Sequence, residues 1–199
     1  MEFGKDQFWE IVDRVRIASS SDEDMFALLE EELSKLPISK IVGFHRRFLE
    51  AADLALVWEL WLAAGVIYGG ECSQDLFCDF RMWLIGQGRA VYESALVDAD
   101  SLALHSKIVR LSSIPIGEVK DSDFPDMEGL GAVAWAAFDR VAAKLSARGV
   151  SLPPYPDSLD ETPRLDFGSQ SHLDVADLRE TVRRLPRLTA LFPSDFWDA

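Results

Sequence analysis

The most constraining feature of this sequence is an apolar pattern that ends at a pair of glycines. Within residues 41–62, apolar side chains recur at steps of three and four, which is the spacing of one face of an α-helix. The pattern predicts one long helix, or two helices joined near Asp53. Residues 54–68 are apolar on nearly every side, so we expect this segment at the centre of the hydrophobic core.

Helical spacing also dominates the rest of the chain. Gly69 and Gly70 should end the central helix, because paired glycines lose much entropy when they are held helical. Ser73 or Asp75 is placed to cap the next helix. Further helices are predicted over residues 6–17, 21–36, 76–84, 90–97, 101–110, 127–148 and 172–185. Because no alternating pattern is long enough to indicate a strand, the predicted fold class is all-α, a compact multi-helix domain with a loop-rich C-terminal extension.

The domain organisation is predicted from a change in composition near Gly149. Residues 1–149 form the helical domain, and residues 150–199 form an extended linker, a terminal helix and an aromatic tail. The linker, residues 150–171, contains four prolines and should be extended and exposed. The tail carries Phe192, Phe196 and Trp197 among acidic residues, which is typical of an amphipathic anchor. Such an anchor could dock on its own domain, on a neighbouring subunit or on a partner, and we expect the first.

The charge balance excludes several classes of function. The 199 residues include 34 acidic and 20 basic side chains, a net charge of −14 that repels phosphate backbones and anionic membranes. Neither a nucleic acid nor a membrane is therefore an expected partner. The apolar segment 54–68 contains Glu59 and is shorter than the roughly 20 residues that a membrane span needs. With two cysteines and no signal peptide, the expected location is the cytoplasm.

Glu59 is the most unusual residue, since it lies in the most apolar helix. An unpaired buried carboxylate costs on the order of several kcal/mol, so Glu59 must reach a partner, reach solvent or hold a proton. One interpretation is a structural ion pair that sets the helix register; another is a pocket floor that binds a cation or serves as a general base. Its candidate partners are all arginines: Arg46, Arg47, Arg81 and Arg89.

A second group of candidate ligand-binding residues comprises Arg81, Trp83, Arg89 and Tyr92. Arginine side chains bind carboxylates and phosphates bidentately, and aromatic rings give flat walls for stacking. The group therefore indicates an anion or peptide-carboxylate pocket. The alternative is that Trp83 packs in the core while both arginines pair with nearby acids.

Evidence for metal or nucleophile chemistry is weak. Cys72 and Cys78 lack the spacing of a zinc site, and no nucleophile elbow or phosphate-binding loop is present. Glu71, Cys72, Asp75 and Asp79 could meet a cation at a helix start, but a solvated acidic cap is by far the favoured interpretation. We therefore predict no metal and no cofactor.

Several short motifs carry a resemblance to a known family. They are Trp58-Glu59-Leu60-Trp61, Gly69-Gly70, Phe80-Arg81, Trp83-Leu84-Ile85, Gln87-Gly88-Arg89 and Tyr92-Glu93. Over residues 6–145 the chain resembles the bacterial domain of unknown function numbered 4240. That family has no established activity, so the resemblance implies no catalytic residues.

Two functional hypotheses follow. The first is a non-enzymatic protein- or peptide-binding or regulatory domain, with a cleft beside residues 58–92 and an acidic surface suited to a basic partner. An immunity-like role, in which the domain masks a basic toxin, is one concrete version. The alternative is an enzyme or a small-molecule (anion) binder that uses Glu59 with Arg81 and Arg89. The oligomeric state is left open.

Overall fold

A computed structural model describes residues 3–70, 72–152, 154–156 and 178–193, and all regular secondary structure in this part of the chain is helical. It contains α-helices and short 3₁₀ helices and no strand, which confirms the all-α prediction. The α-helices are α1 (Lys5–Ala18), α2 (Asp22–Ser34), α3 (Ile38–Leu54), α4 (Trp58–Ile67), α5 (Gln74–Gly86), α6 (Arg89–Val97), α7 (Ser106–Ser112), α8 (Val133–Ser146), α9 (Leu178–Arg184) and α10 (Pro186–Leu191). The 3₁₀ helices are Ala99–Leu104, Ile116–Glu118, Asp121–Asp123 and Glu128–Ala132.

The long apolar pattern forms two helices, which settles the choice left open by the sequence. Helices α3 and α4 are separated by residues 55–57. Gly69 and Gly70 follow α4 with φ angles of 94° and 87°, a region that favours glycine. The Ser73 hydroxyl accepts the N–H of Leu76 at 3.1 Å, so Ser73 rather than Asp75 caps α5.

The core is built around α4 and α5. Every residue of α4 from Leu60 onward is buried, which confirms that this segment lies at the centre of the core. Helix α5 packs against α1, α3, α4, α6 and the 3₁₀ helix Glu128–Ala132. Large aromatic rings fill the interior, as where Trp61 meets Phe77 edge-on at a centroid distance of 4.9 Å. No helix in the described part of the chain is long and apolar enough to cross a membrane.

Three predicted segments differ from the observed ones. The predicted helix 101–110 is a 3₁₀ helix followed by α7, and the predicted loop 112–126 contains two 3₁₀ turns. The predicted helix 127–148 begins with a 3₁₀ segment and becomes α-helical only at Val133. A loop-like composition thus permits short 3₁₀ turns, which need few residues and no apolar face.

The C-terminal end of the described chain contains one more helix than the sequence analysis predicted. Pro186 ends α9, but it also begins α10, which the sequence analysis did not predict. Proline suits the first turn of a helix because its fixed φ is helical and its missing N–H has no partner there anyway. Helix α10 packs against α4 and against the 3₁₀ helix Ala99–Leu104. The domain division at residue 149 stays a prediction.

Candidate functional site

Two of the predicted site residues, Arg81 and Tyr92, are buried against the end of α3. Arg81 Nη1 donates to the carbonyl of Ala52 at 2.7 Å, and the Tyr92 hydroxyl donates to the neighbouring carbonyl of Ala51 at 2.6 Å. The last carbonyls of a helix have no partner within the helix, so donors from other elements complete the hydrogen bonding there. The Arg81 guanidinium also lies over the ring of Phe77, 5.3 Å from its centroid. These contacts hold α5 and α6 against α3.

The remaining predicted ligand-binding residues lie in different surroundings. Trp83 is buried, and its ring meets His105 edge-on at 5.0 Å. Arg89 is at the surface, where it pairs with Asp6 at 2.8 Å and with Glu93 at 2.9 Å.

Glu59 is exposed in the first turn of α4, and its carboxylate pairs with Arg184 of α9 at 3.1 Å. The sequence analysis named four other arginines as candidate partners of Glu59, and that prediction is wrong: the observed partner is Arg184. Because Glu59, Arg81 and Arg89 take separate partners, the structure does not bring the three together in one site.

The predicted docking aromatics are only partly described. Phe192 directly follows α10 and is buried, with its backbone N–H bonded to the carbonyl of Leu188. Phe196 and Trp197 lie outside the described residues.

A cleft with an acidic lining lies between α3, α5, the 3₁₀ helix Glu128–Ala132 and the start of α8. Its volume is about 540 Å³. Three carboxylates line it, Asp75 and Asp79 from α5 and Glu128 from the facing wall. Phe48 and Trp135 supply aromatic surface. We call this cavity the acidic cleft.

Asp79 is the electrostatic centre of the acidic cleft. Within the described residues its carboxylate has no hydrogen-bond or ion-pair partner. Partial burial raises the pKa of Asp79 to about 6, with the negative charges of Asp126, Glu128 and Asp75 contributing and Arg81 opposing. Asp75 lies one helical turn before Asp79, whereas Glu128 lines the facing wall and Asp126 precedes it in the chain without lining the cleft. A cation in the cleft would relieve this repulsion.

Neutral and aromatic groups form another wall of the acidic cleft. His45 lines the cleft, and its Nδ1 forms a hydrogen bond with the Tyr155 hydroxyl. Burial lowers the pKa of His45 to about 4, so its ring is neutral near pH 7 and does not offset the carboxylates. The Tyr155 ring packs against Trp135 at 4.5 Å and against Phe138 at 4.7 Å. Trp135, which is 36% exposed, is thereby held as a wall over which a cation can bind.

Sequence reasoning found only part of this cleft. Asp75 and Asp79 were considered as acids that could meet a cation, but the sequence favoured a solvated acidic cap; their spacing of four residues places them on one helix face. Glu128, His45 and Trp135 were not connected with them, because they come from distant segments. Among the described residues, no group of three or more His, Cys, Asp or Glu side chains is arranged to hold a metal ion.

Because Asp79 is partly buried near other carboxylates, we predict that the free energy of unfolding depends on pH. Its folded pKa lies above the unfolded value, so the folded protein binds the proton more tightly and loses stability as the pH rises from about 4 through 6. Asp79→Asn should therefore raise the free energy of unfolding at pH 7.5 by about 1–2 kcal/mol, after allowance for solvent screening, and leave it unchanged near pH 4. Urea unfolding at the two pH values measures this difference. A variant that is less stable at pH 7.5 would contradict the electrostatic description.

The fold and the site describe an all-helical protein with an acidic cleft between helices and aromatic side chains in the wall of that cleft. A family model described as "Protein of unknown function (DUF4240)" matches residues 3–140. The chain therefore belongs to the DUF4240 family, as its sequence motifs indicated. The lining of the acidic cleft falls within the matched residues, and α9 and α10 fall outside them. Neither a search of curated proteins nor a search of solved structures gave a match.

Proposed function

We propose that this protein is a non-enzymatic binding domain whose acidic cleft takes a lysine or arginine side chain of a protein or peptide partner. The observation that carries the proposal is the carboxylate of Asp79, partly buried among like charges and without a cationic partner in the described residues. Such an arrangement costs stability at neutral pH, and strained electrostatics of this kind are concentrated at functional sites.

The walls of the acidic cleft support a basic side chain as the occupant. Lysine and arginine have long apolar stems that pack on hydrophobic surface while their charged ends reach polar groups. Phe48, Met82 and Trp135 supply that apolar surface, and Asp75 and Asp79 supply the negative charge. The net charge of −14 would attract a basic partner over a longer range and speed its association.

The proposal includes a cytoplasmic location and a regulatory or immunity-like role, in which the domain would mask a basic surface of its partner. No observation favours the alternative of an enzyme or anion binder built from Glu59, Arg81 and Arg89, because their side chains contact different partners.

Binding of a lysine- or arginine-containing peptide is expected to depend on Asp79. At pH 7.5 and low salt, Asp79→Asn should weaken binding about tenfold, the effect of losing one charge–charge contact in a partly buried site. Because the pKa of Asp79 is about 6, the affinity of the unmodified protein should also fall as the pH drops through that value. Isothermal titration at pH 7.5 and pH 5.5, with short Lys-rich and Arg-rich peptides as probes, measures both effects.

Asp139→Asn is the matched control, because it removes the same charge from an exposed position of α8 outside the cleft. A peptide in which norleucine replaces lysine controls for apolar contact. If Asp79→Asn and Asp139→Asn weaken binding equally, the peptide responds to net charge and not to the cleft, and the proposal fails.

A further inference from the structure

Trp135 gives the acidic cleft an aromatic wall that is held in position. The Tyr155 ring lies against the Trp135 ring, with centroids 4.5 Å apart and planes 31° apart, so the indole is supported from one side. Trp135 also lines the cleft and is 36% exposed, which leaves indole surface open to an occupant. A guanidinium group stacks flat on such a ring and gains both cation–π attraction and contact between two planar groups. The compact ammonium group of lysine gains only the cation–π attraction.

The carboxylates of the acidic cleft lie on more than one of its walls. Asp75 and Asp79 line it from α5, and Glu128 lines the facing wall. Within the described residues, none of these three carboxylates has a hydrogen-bond or ion-pair partner. A guanidinium group has five N–H donors on three nitrogens, so it can bond one carboxylate bidentately and still donate toward another wall. The donors of an ammonium group share one nitrogen and do not form this bidentate pair.

His45 adds a polar side chain to the lining, and this side chain is almost fully buried. His45 is 4% exposed, and its Nδ1 forms a hydrogen bond with the Tyr155 hydroxyl. Its Nε2 has no hydrogen-bond partner in the described part of the chain. Because burial lowers the pKa of His45 to about 4, the ring is neutral near pH 7 and does not repel a cation. In the tautomer that carries the proton on Nδ1, Nε2 can accept an N–H from an occupant.

The aromatic wall, the carboxylates and the free ring nitrogen all favour a guanidinium group. Arginine is also more weakly hydrated than lysine, so it loses less when it leaves water for the partly buried carboxylate of Asp79. We infer that the acidic cleft binds an arginine side chain in preference to lysine, with the guanidinium stacked on Trp135, paired with Asp79 and donating to His45 Nε2. This preference rests on the function proposed above, since it requires that the cleft take a basic side chain.

Isothermal titration of the full chain at pH 7.5 with four matched peptides tests the preference. The peptides share small, uncharged flanking residues and differ only at the central residue, which is arginine, lysine, citrulline or asymmetric dimethylarginine. The arginine peptide should bind about tenfold more tightly than the lysine peptide. Citrulline keeps the planar shape without the charge and should not bind. Dimethylarginine keeps the charge but loses the bidentate hydrogen bond, so it should bind several-fold more weakly than arginine.

Trp135→Leu is expected to remove most of the preference for arginine, because leucine keeps apolar surface but has no ring. The ratio of the arginine affinity to the lysine affinity should fall toward one, whereas Trp135→Phe, which restores a ring, should keep most of that ratio. A purely structural role for Trp135 would weaken both peptides by the same factor. Trp58→Leu is the matched control, because Trp58 is half-buried and does not line the cleft, and it should leave the ratio unchanged. Thermal melting confirms that each variant is folded.

The possible outcomes separate the arginine preference from the function on which it rests. If the lysine peptide binds as tightly as the arginine peptide, the cleft takes a basic side chain but the preference is overturned. If neither peptide binds, the proposed function fails and the preference fails with it. Equal affinity for the arginine and dimethylarginine peptides, or an unchanged affinity ratio in Trp135→Leu, would also overturn the preference.

Discussion

Replacement of Arg81 by alanine is expected to lower the free energy of unfolding by about 3–5 kcal/mol. The Arg81 side chain is 2% exposed, so its removal leaves a cavity in a packed core. It also removes the donor to the Ala52 carbonyl at the end of α3, which then stays buried without that partner. Burial lowers the pKa of Arg81, and relief of this desolvation cost offsets only part of the loss.

Urea unfolding of Arg81→Ala and Arg81→Met separates the two contributions. Methionine fills much of the volume but donates no hydrogen bond, so Arg81→Met should lose about 1–3 kcal/mol. Arg89→Ala is the control, since Arg89 carries the same charge in an exposed ion-pair cluster and should change stability little. If Arg81→Met were as stable as the unmodified protein, the hydrogen bond to α3 would not be the reason that an arginine occupies this position.

Asp100→Ala is expected to cost about 2–4 kcal/mol and to release α10 from the rest of the molecule. Asp100 is 1% exposed, and its carboxylate accepts hydrogen bonds from the backbone N–H groups of Arg187 and Leu188 and from Arg187 Nε. It therefore caps the start of α10 from a distant part of the chain. Its removal would leave these N–H groups without an acceptor.

Hydrogen exchange read by mass spectrometry tests this prediction locally. Amides of α9 and α10 should exchange faster in Asp100→Ala, while those of α4 and α5 should keep their protection at low denaturant. Asp98→Asn is the control, because it removes the half-exposed charge that pairs with Arg187 while the amide oxygen can still accept the N–H of Asp100, so it should matter less. Equal exchange in the two variants would show that the buried carboxylate does not anchor α10.

Most of the helices could be predicted because their signals are local. The stripe over residues 41–62, the paired glycines at 69 and 70 and the Ser73 cap each act within a few residues of the chain. Helix α10 was missed because proline is normally read as the end of a helix, although it equally suits the first turn of the next.

The candidate sites were less accessible to sequence reasoning. Glu59 drew attention because a carboxylate in an apolar helix is costly, yet that cost disappears when the residue lies in the exposed first turn beside Arg184. The sequence could not show that Arg81 is buried while Arg89 is at the surface, because the two residues do not share one helix: α5 ends at Gly86, Gly88 has a φ of 89°, and α6 starts at Arg89.

By itself the sequence determined the all-helical class, the central position of α4 and the acidic character of the surface, since helix periodicity and net charge need no knowledge of distant contacts. Only the tertiary structure decided which charges meet. It gathered Asp75, Asp79, Glu128 and Trp135 around one cleft, and it paired Glu59 with Arg184. The physical reason is that the cost of a charge depends on its solvent exposure and on its neighbours, and packing between distant segments sets both.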